Sequence, residues 1–199
     1  MLYCKQKRYG MKILHISDLH ISKKLKFKNI HFLKKIITYF HDKKMDHFII
    51  TGDLTDNAEK NDFKLLRHIF KDFGILDRNK LSIVIGNHDI FGGIETAEDI
   101  INFPKKCIKT NYKQKMREFY SAFIECFEDC LFPVDSEHYP YAKDLGKVVL
   151  IGLNSIAKYS RLRNAFASNG KVSRAQFESL KKIFKEESFR DKRKIVMIH

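Results

Sequence analysis

Short apolar runs that alternate with amphipathic helical stretches are the feature of this sequence that most limits its fold. The first run is Lys12–Ser17 and the second is His47–Thr51. Between them, apolar residues recur at three- and four-residue steps from Phe27 to Phe40, which predicts a helix. Runs of this length predict buried strands, and strands separated by helices indicate an α/β fold.

The same alternation continues through the rest of the chain. Apolar residues at helical spacing run from Phe63 to Phe73, and Asp56 with Glu59 three residues later predicts the start of that helix. Ser173 predicts the N-terminus of a further helix that carries Phe177. The remaining apolar runs predict three more strands, at Leu81–Ile85, Lys147–Leu153 and Ile195–Ile198.

Residues 91–140 interrupt this alternation. Apolar residues repeat at helical spacing from Met116 to Leu131, and such a stripe is more typical of a packed core than of a cofactor site. We therefore predict one domain over residues 11–199, with a helical insertion near residues 91–140. Residues 1–10 precede the first strand and are predicted to form an N-terminal extension.

The composition limits the class of protein and its partners. Lys and Arg number 38 against 24 Asp and Glu, a formal net charge of +14, which favours a phosphate-bearing partner but also fits a solvated, lysine-rich surface. A hydrophobic content of 44% excludes a disordered chain, and no apolar run approaches the ~18 residues of a membrane span. The four cysteines lack a CxxC framework and no apolar signal region is visible, which predicts a cytoplasmic protein.

Four of the predicted strands are followed by side chains that can bind a metal ion. Asp18 and His20 follow the first strand, and Asp53 follows the second. Asn87 follows the third, and His199 follows the last. Ligands collect at the carboxyl ends of strands in α/β sheets. Asp18, Asp53 and Asn87 are 35 and 34 residues apart, each about the length of one βαβ unit, so we expect them to lie side by side.

The types of donor favour a pair of transition-metal ions. Asp18 and His20 are two residues apart, and on an extended segment both can point the same way and hold one ion. Asp53 follows a glycine, which lets the backbone approach a crowded centre, and its two oxygens can bridge two cations. A mixed set of oxygen and nitrogen donors suits Mn²⁺, Fe or Zn²⁺ better than Ca²⁺. The sequence therefore predicts a site for two divalent metal ions.

Three motifs carry a resemblance to a known superfamily. Asp18-Leu19-His20, Gly52-Asp53 and Gly86-Asn87-His88-Asp89 resemble the signature of the calcineurin-like metallophosphoesterases. The longer strings Ile13–His20 and Gly52–Ala58 are most similar to the branch that contains cyclic-nucleotide phosphodiesterases. The resemblance covers essentially the whole chain after residue 10 and implies a four-layer αββα sandwich.

The resemblance also implies which residues bind the metal ions. Asp18 and His20 would bind the first ion, and Asp53 would bridge the two ions. Asn87 and His199 would bind the second ion.

The chemistry implied by the resemblance is metal-dependent hydrolysis of phosphate esters by an activated water. His88 would not bind metal but would protonate the leaving oxygen, and Asp89 would orient it. A small phosphodiester such as a cyclic nucleotide is the first candidate substrate. DNA-repair nucleases share the motifs, so a nuclease acting on nucleic acid is an alternative, as is a metal-binding fragment without turnover.

One part of the superfamily pattern is missing from the sequence. Members carry a Gly-His-x-His motif that supplies one ligand to each metal, and the chain ends at His199 before any such motif. The last predicted strand, Ile195–Ile198, also needs apolar neighbours on both faces. We therefore expect that the natural sequence continues and that the sandwich and its site are incomplete at the C-terminus.

Overall fold

Two three-stranded sheets form the centre of the molecule. The computed structural model describes residues 10–22, 27–94, 96–133 and 138–199. Over these residues it confirms the predicted α/β class. The described strands are β1 (Ile13–Ile16), β2 (His47–Thr51), β3 (Leu81–Val84), β4 (Tyr141–Asp144), β5 (Val148–Gly152) and β6 (Arg193–Met197).

Along the chain, all the described helices lie between strands. Thr96 and Asp99 form a capping box at the start of α4, and the Ser173 hydroxyl accepts the N–H of Gln176 at the predicted start of α6. The described helices are α1 (Phe27–Asp42), α2 (Lys60–Asp72), α3 (His88–Phe91), α4 (Ala97–Lys109), α5 (Tyr112–Ala122) and α6 (Arg174–Lys185), with 3-10 turns at Ile124–Phe127 and Glu187–Phe189.

The first sheet is parallel, in the order β1-β2-β3. Ile16 pairs with Ile50, and Ile50 pairs with Ile83, so the strands are in step near their carboxyl ends. Because parallel strands end at the same edge, the segments that follow them meet there. Helices α1 and α2 contribute buried side chains to the core that covers this sheet, among them Leu33, Ile37, Phe40, Phe63, Leu66 and Phe70.

The second sheet is mixed, with β4 antiparallel to β5 and β5 parallel to β6. β4 escapes prediction from the sequence because its four residues include a lysine and an aspartate and form no apolar run. Val149 and Ile151 pack with Ile183 of α6 on one face. Tyr141 and Leu150 belong to the core shared with the first sheet. The layers are therefore helix, sheet, sheet and helix.

The two sheets are joined along β3, which is an edge strand. Three alternate side chains in and just before β4 form hydrogen bonds with the backbone of β3 or of the residue that follows β3. Tyr139 Oη accepts the N–H of Ile85 at 3.1 Å, Tyr141 Oη donates to the Ile83 carbonyl at 2.7 Å, and Lys143 Nζ donates to the Leu81 carbonyl at 2.6 Å. Buried backbone groups of an edge strand need hydrogen-bond partners. Here, side chains in and just before β4 take the place that a neighbouring strand would have.

The helix bounds differ from the periodicity at two places. α2 begins at Lys60 rather than Asp56, because the Asp56 carboxylate faces a histidine ring instead of capping the helix. The apolar stripe from Met116 to Leu131 is not one helix. α5 ends at Ala122, and from Phe123 onward the hydrogen bonds tighten to a three-residue spacing.

The remaining segments lie outside the strand–helix alternation. The insertion predicted near residues 91–140 contains α4, α5 and the first 3-10 turn. The extension predicted at residues 1–10 lies outside the described residues, apart from Gly10. Among the described helices, none is both long enough and apolar enough to cross a membrane.

Lys143 gives the fold a pH-dependent stability. Its side chain is fully buried, and burial lowers the pKa of its ammonium to about 8 from an ordinary value of 10.5. Below pH 8 the folded and unfolded states are both protonated, and folding carries the whole cost of burying the charge, up to about 3 kcal/mol. Between pH 8 and 10.5 the folded state loses its proton first, so this cost disappears as the pH rises.

We therefore expect Lys143→Met to raise the free energy of unfolding at pH 7 by about 1–3 kcal/mol, with the loss of the Leu81 hydrogen bond included. The advantage should shrink towards pH 10.5, and urea denaturation at pH 7 and pH 10 measures it. The exposed Lys34, changed to Met, is the control and should show no such trend. A difference between Lys143→Met and wild type that does not vary with pH would contradict the explanation.

Candidate metal centre

The carboxylate of Asp53 lies among three imidazole rings at the carboxyl edge of the first sheet. Its Oδ2 is 3.3 Å from Nε2 of His199. The same oxygen is 3.9 Å from Nε2 of His20 and 4.0 Å from Nε2 of His88. Asp18 Oδ1 is 3.8 Å from Nε2 of His20. Asp53 is only 4% exposed, whereas the side chain of Asp18 is 52% exposed and faces solvent.

The backbone that carries these side chains is left-handed rather than extended. Asp18, His20 and Asp53 have φ angles of 57°, 45° and 49°. The expectation that Asp18 and His20 alternate on an extended segment is therefore wrong, although the turns still bring them together. Left-handed residues other than glycine are strained and cluster at functional sites, with aspartate tolerated better than most.

Two glycines make room for the centre. Gly52 has a φ of +78°, and a Cβ there would lie 2.2 Å from Cγ of His199. A Cβ on Gly86 would lie 2.1 Å from Oδ1 of Asp53. Because neither contact is sterically allowed, only glycine permits His199 and Asp53 to approach the strand ends this closely.

The second ring nitrogen of each histidine has a protein partner. Nδ1 of His20 is 3.1 Å from Oδ1 of Asp56, and Nδ1 of His88 is 3.5 Å from the same oxygen. Nδ1 of His199 is 2.9 Å from the Thr51 carbonyl oxygen. An acceptor beside Nδ1 favours a proton there and leaves the Nε2 lone pair free to bind a metal. All three Nε2 atoms lie within 4.0 Å of Asp53 Oδ2.

The donor atoms fit divalent metal ions. Those of His20, Asp53 and His88 lie within 4.8 Å of one another, and so do those of Asp18, Asp53 and His199. Nitrogen and carboxylate ligands lie 2.0–2.2 Å from a Zn²⁺ ion, so two ligands of one ion are about 3–4 Å apart, and Asp53 Oδ2 lies 3.3–4.0 Å from the three Nε2 atoms. Asp53 belongs to both groups, which is the arrangement that a bridging ligand needs.

Two expectations about the ligands stay predictions: that Asp18 and His20 bind the same ion, and that Asn87 binds the other ion. The two groups of three donors place Asp18 with His199 and His20 with His88, whereas the resemblance pairs Asp18 with His20, whose Nε2 lies 3.8 Å from Asp18 Oδ1. Asn87 directly precedes α3 and is half-buried, and its backbone carbonyl accepts N–H groups from the first turn of that helix. Its position after β3 places it at the same edge of the sheet as Asp53.

The resemblance implies that Asp89 orients His88, but the hydrogen-bond partners of Asp89 lie elsewhere. Its carboxylate is fully buried and accepts the N–H groups of Leu54, Thr55 and Gly86 at 2.8–3.2 Å, together with the Thr55 hydroxyl at 3.0 Å. Burial raises the pKa of Asp89 to about 6. These bonds connect the loop that carries Asp53 to the end of β3, so Asp89 organises the loops.

Asp56 is the residue that the sequence analysis missed. It is 2% exposed, and its carboxylate and carbonyl oxygens lie beside Nδ1 of His88, at 3.5 and 3.2 Å. The same carboxylate is the partner of His20. A signal was present, because Asp56 follows Asp53 by three residues in one loop, but the pattern with Glu59 favoured a helix start.

The charges at the centre support one another. Burial by itself would raise the pKa of Asp53, but the hydrogen bonds and charges of His199 and His88 together outweigh it and lower that pKa. The same hydrogen bond raises the pKa of His199 to about 9. Burial opposes protonation of His88, but Asp56 and Asp53 together raise its pKa. Metal cations that bind beside this carboxylate would therefore displace protons from the surrounding imidazoles.

A four-layer α/β sandwich with donors converging on one buried carboxylate can hold divalent metal ions at the edge of its first sheet. A sequence profile described as calcineurin-like phosphoesterase matches residues 11–199. The match spans nearly the whole chain, and the protein belongs to this family. Members of the family generally use divalent metal ions, in agreement with the donor groups around Asp53. A search of curated proteins finds no match.

Proposed function

We propose that the protein is a phosphodiesterase that uses two divalent ions and acts on a small substrate such as a cyclic nucleotide. The observation that carries the proposal is the position of Asp53, whose Oδ2 lies 3.3–4.0 Å from three imidazole nitrogens. A shared carboxylate between two donor groups supports a binuclear centre, which suits displacement at phosphorus.

The residues that would hold the ions are the five predicted from the sequence: Asp18, His20, Asp53, Asn87 and His199. The mixed nitrogen and oxygen donors favour Mn²⁺, Fe or Zn²⁺. When bound, such ions neutralise phosphate charge and lower the pKa of a water.

His88 would act on the leaving group. Its backbone N–H donates to Oδ1 of Asp53 at 2.9 Å, which fixes the start of α3 against the centre. Its Nδ1 faces Asp56, so Nε2 is the atom left to reach the substrate. A proton delivered from Nε2 to the departing oxygen contributes about 10²–10⁴-fold in rate. Asp56, rather than Asp89, would position the ring.

A nuclease is the second candidate. The net charge of +14 favours it, because polyanionic substrates bind to basic surfaces through their phosphates. Both candidates break a phosphodiester bond, so they differ in the rest of the substrate and not in the centre.

The test compares ester types and metals. We expect the purified chain to hydrolyse bis-p-nitrophenyl phosphate with Mn²⁺, Fe²⁺ or Zn²⁺ and to lose activity in EDTA. The monoester p-nitrophenyl phosphate should react more slowly, and cyclic AMP should react faster than single-stranded DNA. Metal binding without diester hydrolysis would contradict the proposal and favour the metal-binding fragment without turnover, whereas a preference for DNA would favour the nuclease.

A further inference from the structure

Two connected clefts, which we call together the Asn154 groove, open beside the metal centre. Their volumes are about 600 and 590 Å³, within the usual range for ligand sites. Five residues line both clefts and form the continuous floor of the groove: Tyr112, Asn154, Lys158, Ser173 and Gln176.

Contacts at both sides tie this groove to the site. Asn154 follows β5, and the hydroxyl of the next residue, Ser155, donates to the carbonyl of His199. On the other side, the ring of Tyr112 lies 6.1 Å from the ring of Phe91, the last residue of the helix that begins at His88. A substrate held at the metal centre could therefore extend into the groove.

The charged side chains that line the groove, among the residues that the structure describes, are of one sign. Among the described residues that line it, none is acidic. Three other clefts each contain a carboxylate, from Glu118, Glu59 or Asp46. Five cationic side chains line the Asn154 groove: Lys113, Arg117, Lys158, Arg163 and Lys171.

The walls of the groove are held in place by hydrogen bonds. Nδ2 of Asn154 donates to Tyr112 Oη at 3.0 Å, and that hydroxyl donates to the Ile156 carbonyl at 2.8 Å. Gln176 exchanges two bonds with the Asn154 backbone, at 2.8 and 3.0 Å. In the loop that carries Arg163, the buried Asn164 accepts the Asn169 N–H and donates to two backbone carbonyls. A fixed wall binds a ligand without a large cost of ordering.

We propose that the Asn154 groove binds a second phosphate group of the substrate, one that is not hydrolysed. The proposal rests on the proposed function, which places the scissile phosphate at the metal centre. A cyclic mononucleotide carries a single phosphate, which the metal ions would neutralise, so it would bring no anion to Lys158 and Arg163 in the groove. The substrate class is therefore a small nucleotide phosphodiester with two phosphates, namely a dinucleotide.

The test measures binding in EDTA, so that no metal ion holds either phosphate. Isothermal titration would compare the 5′-phosphorylated dinucleotide pApA with ApA, which lacks the second phosphate. We expect pApA to bind at least about tenfold more tightly. The double variant Lys158→Ala/Arg163→Ala should lose this difference and most of its salt dependence. Arg161→Ala, which removes a cation from the same loop but outside the groove, should keep both.

The outcomes separate this proposal from the proposed function. Equal affinities for pApA and ApA, or an equal loss in Arg161→Ala, would overturn the second-phosphate site even if bis-p-nitrophenyl phosphate is hydrolysed. Affinity that keeps rising with longer oligonucleotides would assign the groove to a polynucleotide and overturn the dinucleotide. Thermal unfolding of each variant shows whether a loss of binding reflects a loss of folding.

Discussion

Replacing Asp53 by asparagine is expected to lower turnover of a phosphodiester by at least about 10³-fold, because the two ions of the proposed centre would lose the ligand that they share. Several kcal/mol of transition-state stabilisation from metal ions correspond to a factor of this size. Asparagine tolerates the left-handed backbone of this position, with its φ of 49°, so the change removes charge and one ligand oxygen without added strain. Metal content by mass spectrometry and the kcat for bis-p-nitrophenyl phosphate measure the effect.

Asp129→Asn is the matched control for this experiment. Asp129 also has a left-handed φ, of 50°, but its side chain is 83% exposed and lies near Arg78, outside the centre. We expect its metal content and activity to equal those of the wild type. Equal metal content in Asp53→Asn and wild type would show that Asp53 does not bridge two ions.

Replacing His88 by alanine is expected to reduce hydrolysis of cyclic AMP by about 10²–10⁴-fold, the usual contribution of a general acid. The loss should be smaller for bis-p-nitrophenyl phosphate, because p-nitrophenolate leaves without needing a proton. Alanine keeps the backbone N–H that bonds to Asp53, so the loop should keep its place. The ratio of the two rates, measured at saturating metal, reports the loss of the proton donor.

Metal content distinguishes the two roles that the geometry allows for His88. Its Nε2 lies in one donor group with His20 and Asp53, so a ligand role is the competing explanation. We expect His88→Ala to bind as much metal as the wild type. Loss of one ion, with both substrates slowed equally, would make His88 a ligand. His68→Ala is the control, since His68 lies on α2 and its Nδ1 hydrogen-bonds with the carbonyl of Lys64 in its own helix.

The position of Lys143 and that of the metal centre have a common origin in the way the sheets meet. Side chains in and just before β4 satisfy the free edge of β3, and this contact brings the second sheet against the first. The segment after β6 then carries His199 to Asp53, although the two residues are separated by about three quarters of the chain. A buried lysine at one end of this contact destabilises the protein, while the same packing assembles the site at the other end.

Much of the candidate site could be predicted from the sequence, because residues that follow successive parallel strands of one sheet are close together in space. Asp18 and Asp53 each follow an apolar run that forms a strand, and strands that pair in parallel end at the same edge. The order of elements is therefore enough to bring such residues together. The glycines before Asp53 and Asn87 were equally visible, and the close contacts at Gly52 and Gly86 explain them.

Only the tertiary structure decided which carboxylate serves which histidine. Asp56 and Asp89 are both acidic residues near a motif, and the resemblance gave Asp89 the role of orienting His88. In the folded chain Asp89 turns into the core to bond three backbone N–H groups, while Asp56 lies beside two histidine rings. Periodicity records which face of an element is apolar, but the direction of a polar side chain in a loop depends on hydrogen-bond partners from distant segments.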